Sequence, residues 1–272
     1  MNRGLTIEVK GAALAFSAQA KEFDQLYGPD LIIQYKRERV RLHVENFLAP
    51  GSSILELNAG TGEDAIYFAS RGHRVHATDI SPEMQGVLKE KIRSAGLNSK
   101  ISTEICSFTQ LEDLRARGPY DLVFSNFAGL NCTNQLEKVL NSLDALLLPG
   151  GRATMVILPK FCLWEFLMLF RGKFKTAFRR FAGKKGAAAK INGNEFRCWY
   201  YNPSFVKKHT AGKFRVLGLE GLCTLVPPSY IDGFAEKRPN WFRRLKRWEE
   251  KYRKTFPWRS IGDYYIISLE KK

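Results

Sequence analysis

From about residue 53 to 158, short apolar runs rich in β-branched residues alternate with segments whose apolar positions recur every three or four residues. The first pattern is that of buried strands and the second that of amphipathic helices, so the alternation predicts repeated βα units on a mostly parallel sheet. Strands are expected at 53–57, 74–78, 100–105, 120–125 and 151–158, with helices at 63–71, 82–95 and 133–147. Ser81-Pro82 offers the second helix a cap and a first-turn proline, and "LLLPGG" closes the third. Beyond 158 the rhythm breaks. The run 161–182 mixes aromatics with bases, 183–195 reads as a flexible connection, and 196–202 as a short strand. A helix at 203–211 and strands at 214–221 and 263–270 complete the pattern. Upstream, 20–49 reads as helical, with Val40, Val44 and Phe47 on one stripe and Arg37, Arg39 and Arg41 away from it. The reading divides the chain into an N-terminal helical cover (1–49), a core (50–159), an insert (160–195) and a C-terminal part of the same sheet (196–272), with a second insert at about 233–261.

The stretch "ILELNAGTGEDAIYFASRGHRVHATDIS" carries the candidate chemistry. Gly60-Thr61-Gly62 follows a strand and precedes a helix, where small residues let backbone approach a ligand and the helix start offers free N–H groups. Asp79 ends the next strand, well placed to accept hydrogen bonds from a ribose diol at the carboxyl end of an open α/β sheet. The glycine pattern also satisfies a dinucleotide-binding fingerprint. Glu56 separates the two readings: a carboxylate in the last turn of the first strand repels a pyrophosphate and attracts a sulfonium or an ammonium.

With those residues in place, "ELNAGTGE" resembles the first motif of the class I S-adenosylmethionine-dependent methyltransferases. "HATDIS" resembles the second-strand acid of that family, and "GPYDLVFSNFAGLN" its fourth strand and loop. "LLLPGGRATMVIL" resembles the following helix, turn and fifth strand, and "DYYIISLEKK" the reversed seventh. The resemblance covers roughly residues 20–160 and 196–270. It implies a doubly wound, Rossmann-like seven-stranded sheet with the last strand antiparallel, S-adenosylmethionine as cofactor and S-adenosylhomocysteine as product. Carried over, Glu56, Asn58, Gly60 and Gly62 surround the methionine part and Asp79 holds the ribose. Ile80 packs on the adenine, Ser107 and Phe108 lie at its edge, and Asn126 and Phe127 face the sulfonium. The chain departs from the family where an acid often follows the third strand, reading Cys106-Ser107-Phe108 instead. "SNFAGLN" lacks the paired prolines of exocyclic-amine methyltransferases, and no Pro-Cys nucleophile stands ready for base C5 chemistry.

Charge changes the picture of the inserts. The net charge of +16 is concentrated in two segments: 160–190 has nine bases and one acid, and 237–259 has ten bases and two acids. In each, aromatics stand among the bases. Phe174, Phe178 and Phe181 recur in the first, and Trp241, Leu245, Trp248 and Tyr252 fall at helical spacing in the second. Both read as amphipathic basic helices acting as lids, with three roles open: packing on the sheet, meeting anionic lipid, or holding nucleic-acid phosphates. Their aromatic richness favours a greasy acceptor over RNA. No apolar run approaches the ~20 residues of a membrane span, and the start carries one short apolar patch, Ala12 to Phe16, with no cleavage pattern. Five widely spaced cysteines with no CxxC pair fit reduced thiols in a cytoplasm rather than a zinc site.

Neither His43, His73, His76 nor His209 is singled out as a catalytic base, and no metal is expected. The expected function is methyl transfer to a small, hydrophobic or lipid-like acceptor, with peripheral contact to an anionic membrane surface. An RNA methyltransferase and a catalytically silent cofactor-binding scaffold are the alternatives. Acceptor atom and oligomeric state are not legible.

Overall fold

The computed structural model describes residues 7–191, 193–231 and 233–272, apart from the side chains of Ile7 and Glu8. Positions 1–6 of the expected cover and 192 of the expected insert lie outside them. Nine strands are described: β1 (Ser53–Leu57), β2 (Arg74–Asp79), β3 (Ile101–Ile105), β4 (Tyr120–Ser125), β5 (Leu147–Ile157), β6 (Ala187–Ile191), β7 (Asn194–Cys198), β8 (Phe214–Leu222) and β9 (Tyr264–Lys271). Before β1 come α1 (Ile7–Ser17), α2 (Phe23–Tyr27) and α3 (Leu31–Glu45); α4 (Glu63–Ser70), α5 (Pro82–Ser94) and α6 (Leu136–Leu146) sit among the first five strands. Then follow α7 (Leu163–Leu167), α8 (Phe174–Phe178), α9 (Pro203–Thr210), α10 (Phe234–Lys237) and α11 (Pro239–Tyr252).

Seven strands form one sheet in the order β3-β2-β1-β4-β5-β9-β8, with β9 antiparallel to both neighbours and the first five parallel. This is the Rossmann-like sheet with a reversed last strand that the sequence implies. Side chains alternate across it: Leu55 and Leu57 join a core with Val123, Met155 and Ile157 on one face, while Ile54, Leu122, Phe124 and Val156 meet Phe68, Leu88 and Val40 on the other. Strand order reverses between β1 and β4, so a crevice opens beyond the ends of these strands. The register keeps those ends level, pairing Leu57 with Ser125 and Ser125 with Met155.

The expected helix over 20–49 is divided. Asp30 caps α3 by accepting from the amides of Ile32 and Ile33 at 2.7 and 2.9 Å, which ends α2 as a separate turn. Arg39 and Arg41 are not solvated: they reach Glu220 and Asp64, and Arg37 lies 3.8 Å from Glu63. The segment 183–195, expected as a flexible connection, is most of the β6–β7 hairpin, with Gly193 at φ +83° in its turn. α1 lies against this hairpin; Phe16 and Phe196 approach to 5.8 Å, and a Cβ on Gly11 would stand 3.1 Å from the Glu195 carbonyl.

The first insert departs from the amphipathic helix expected of it, whereas the second holds one, α11. The first is broken into α7, α8 and short 3₁₀ turns, with Gly172 at φ +70° between them. Buried Glu165 draws the chain back on itself by accepting from both Arg179 and Arg180. The second contains a real helix, α11, but turned from its apolar stripe. Phe242, Leu245 and Glu249 face inward, whereas Trp241, Trp248 and Tyr252 are exposed. The cause is Glu249, whose carboxylate accepts the amides of Cys223, Thr224, Leu225 and Val226 at 2.8–2.9 Å and the Tyr35 hydroxyl at 3.0 Å. The chain leaving β8 has amides to satisfy, and an unmet buried donor costs more than exposing an indole.

Glu249→Ala removes the acceptor for those amides. It should lower the free energy of unfolding by ~3–5 kcal/mol and speed hydrogen exchange at residues 223–226, with denaturant melts and exchange mass spectrometry as the readouts.

Candidate functional site

The crevice beyond β1 and β4 is a cavity of about 150 Å³. Its floor is the turn after β1. Gly60 takes φ +57° and has open space where a side chain would stand, so its backbone faces the cavity directly. Gly62 takes φ +80° and begins α4, but a Cβ there would lie 2.0 Å from Leu88 Cδ1; its role is to let α4 approach α5, and it does not line the cavity. Asp79, half-buried at the end of β2, accepts the Gly60 amide at 2.8 Å on one oxygen and the Ser81 amide at 2.9 Å on the other. Burial raises its pKa, and these amides oppose that rise. A carboxylate has about four acceptor sites, so lone pairs remain for a ligand's hydroxyls.

Glu56 lies in the wall, buried, and its Oε2 has no hydrogen-bond partner among the described residues. Burial and the neighbouring Asp64 carboxylate hold its pKa well above the usual glutamate range, against the pull of Arg41 and Arg37. A buried carboxylate oxygen without a partner, on a residue that lines a cavity, favours a cation beside it.

Opposite, Asn58 at φ +48° donates from Nδ2 to the Asn126 carbonyl at 2.9 Å and accepts from Ser125 Oγ at 2.6 Å. A Cβ on Gly129 would strike the Asn58 amide, so the glycine there makes this possible. The Asn126 side chain is held at both ends, donating to Asp64 at 2.7 Å and accepting the Phe127 amide at 2.7 Å. Asp64 is held from its other side by Arg41 at 2.7 Å. These bonds fix Phe127 and Ala128 at φ +47° and +59°, a region that costs non-glycine residues ~1–2 kcal/mol each. The Arg37 guanidinium stands 5.1 Å from the Phe127 ring centroid.

Eight of the ten residues expected at the cofactor site line this one cavity: Glu56, Asn58, Gly60, Asp79, Ile80, Phe108, Asn126 and Phe127. Gly62 and Ser107 do not; Ser107 turns its hydroxyl to Thr109 at 2.9 Å. Sequence reasoning missed the outer wall, made by Val9, Ala12, Ala13 and Phe16 of α1 with Phe23 of α2. The signal was the apolar patch Ala12–Phe16. Ser17 and Ser81 share a hydrogen bond at 2.7 Å, and Thr61 donates to Asp24 at 2.6 Å, so this wall is tied to the turns below it. Among the described residues, no histidine lines the cavity. His43 is buried between Glu220 and Ser268, and His76 between Ser102 and Glu104.

Residues 54–151 match the family model of a methyltransferase domain. Among curated proteins, the chain is 31% identical over 144 residues to an uncharacterized methyltransferase of Synechocystis sp., covering 50% of this chain and 63% of that protein. It is 29% identical over 102 residues to tuberculostearic acid methyltransferase of Mycobacterium tuberculosis, covering 37% and 23%. It is 30% identical over 119 residues to ribosomal protein L11 methyltransferase of Agrobacterium fabrum, covering 43% and 39%. The matches span less than two thirds of each of these relatives. The fold is like that of a putative S-adenosylmethionine-dependent methyltransferase of Listeria monocytogenes, with a TM-score of 0.59 at 15% identity over 87% of this chain and 98% of that one. With its strand order and its glycine turn between Glu56 and Asp79, the chain carries a methyltransferase domain over residues 54–151, on the fold of S-adenosylmethionine-dependent methyltransferases.

Proposed function

We propose that this protein transfers a methyl group from S-adenosylmethionine to a small, hydrophobic acceptor enclosed beneath α1. The observation that carries the reading is the unpartnered Glu56 oxygen in the wall of a cavity whose opposite side is Val9, Ala12, Ala13, Phe16 and Phe23. A single chamber then has a cation-seeking end and a hydrocarbon end. A relative named for tuberculostearic acid is compatible with such an acceptor, whereas one named for a ribosomal protein is not.

The residues fit the cofactor. Glu56 would face its ammonium, Asp79 its ribose hydroxyls, and Ile80, Met84 and Phe108 the adenine, with Gly60 allowing close backbone approach. Bound there, the cofactor supplies an electrophilic methyl group. The chain supplies position: Asn58, Asn126 and the left-handed Phe127–Ala128 turn hold one wall rigid, and α1 excludes water from the other. Fixing an acceptor lone pair in line contributes ~7–11 kcal/mol in favourable cases, so the absence of a cavity histidine is no obstacle.

Glu56→Gln tests the cationic end. Affinity for S-adenosylhomocysteine, measured by calorimetry near pH 7.5, should fall at least about tenfold, the loss of one charge-assisted contact. Wild-type affinity should rise with pH, because the raised Glu56 carboxyl must shed its proton to meet the ammonium; the variant should lose that slope. The stability sign is opposite. A folded-state pKa above the unfolded value of ~4.3 means that the stabilising contribution is full below that value and lost as pH rises. Ligand-free Glu56→Gln should therefore melt above wild type near neutral pH and alongside it at pH 4.

Ala13→Phe tests the apolar end. Product affinity should change little, while turnover falls on the order of 10²-fold, as expected for a misplaced acceptor. The acceptor class is read by incubating the protein with radiolabelled donor and fractionated extract. Label should enter organic-soluble small molecules. Label confined to RNA or protein would overturn the acceptor class, and cofactor binding without transfer into any fraction would overturn the enzymatic reading.

A further inference from the structure

We propose that the two basic aromatic inserts dock this protein on an anionic lipid bilayer surface. Three observations carry the inference independently of methyl transfer.

The inserts leave and re-enter the sheet at one edge. Ile157, where the first begins, is paired with Tyr265, and Leu222, before the second, is paired with Tyr264. This is the same edge at which β1 and β4 run into the cavity, since Leu57 pairs with Ser125 and Ser125 with Met155. The inserts also touch: Leu163 donates its amide to Ile261, and the Arg179 guanidinium stands 5.7 Å from the Tyr230 ring.

Several large apolar side chains of each insert are exposed. In the first insert Phe170 is 84% exposed, Phe174 62% and Phe178 53%. In the second, Trp248 is 50% exposed, Trp241 48% and Phe256 79%. Exposed hydrocarbon on this scale marks an interaction surface.

Within 160–190 and 237–259 the acids are already engaged, leaving several bases unopposed. Glu165 is buried against Arg179 and Arg180, Glu249 against backbone amides, and Glu250 pairs with Arg39 and Arg253. Among the described residues, Arg171, Lys173, Lys175, Arg243 and Arg247 are exposed and form no ion pair with an acid.

Phenylalanines without a polar handle, flanked by tryptophans and by free bases, match an interface where rings enter the acyl boundary and cations meet headgroup phosphates. A second copy of the chain would bring like charges together. A single-stranded nucleic acid would satisfy the bases, but phenylalanines scattered over helical turns provide no continuous stacking platform.

The test is sedimentation of the full chain with phosphatidylcholine vesicles, with and without phosphatidylglycerol. Wild type should partition at least about tenfold more strongly to the anionic vesicles, and salt should release it. Lys173→Glu/Lys175→Glu and Arg243→Glu/Arg247→Glu should each weaken partitioning by about fivefold per charge removed, or more. Phe170→Ser/Phe174→Ser and Trp241→Ser/Trp248→Ser should each lower it at least about tenfold. All four should retain S-adenosylhomocysteine affinity and thermal midpoint, which separates lost docking from lost folding. Equal partitioning to neutral and anionic vesicles, none at low salt, or none lost in these variants would overturn the proposal. So would tight binding of a single-stranded oligoribonucleotide, lost in the same variants, without vesicle binding. Each of these outcomes leaves the methyl-transfer reading to its own test.

Discussion

The Asp79 carboxylate ties the turn after β1 to the end of β2, and the cavity depends on that tie. One oxygen takes the Gly60 amide and the other the Ser81 amide, so a single side chain sets the glycine turn and the start of α5 relative to each other. The same acid supports the N-terminal wall, because Ser81, placed by Asp79, is bonded to Ser17 at the end of α1. With floor and wall sharing one anchor, the energy of the site resides in backbone amides that need acceptors, and no large apolar contact has to hold it open. At the cavity wall, Glu56 Oε2 is left without a partner among the described residues.

Elsewhere the chain buries charge in paired clusters. Arg180 meets Glu165, the Asp263 carboxylate and two carbonyls; Lys36 lies 3.7 Å from Asp263 and 4.9 Å from the Tyr264 ring. Cys162, Glu165 and Asp263 come together tightly enough to resemble a metal site. Yet Arg179, Arg180 and Lys36 already neutralise the carboxylates, and burial pushes the Cys162 thiol up to about 11. This knot joins α3, the first insert and the start of β9. Glu220 closes a second such knot: burial would raise it, but His43, Arg253 and Lys254 bring its pKa down to about 2. That occupies His43 structurally, far from any role as a base. Each knot is costly to break on one side, because the partner left behind is a buried charge.

The strands and helices between 53 and 158 were legible because their period is local. A strand buried on both faces must be apolar throughout, and a helix between layers must carry its stripe, so β1, β2, β4 and α5 fall within a residue or two of expectation. The motif residues Glu56, Gly60 and Asp79 were legible for a related reason: a turn between a parallel strand and its helix has few backbone solutions.

What the sequence could not determine lay wherever two distant segments compete for the same group. Ser107 was expected at the adenine edge, but Thr109 takes its hydroxyl. Trp241, Trp248 and Tyr252 have a core stripe's spacing, yet α11 is rotated because the amides of 223–226 bind Glu249. Ala12–Phe16 became the cavity's outer wall because the β6–β7 hairpin gave α1 something to lie on. By itself, then, the sequence determined the sheet, its glycine turn and the acids that flank it, all set by local period and residue chemistry. The tertiary structure decided which helix faces turn to solvent and what closes the cavity, because burying a polar group demands a partner that only the folded chain brings within reach.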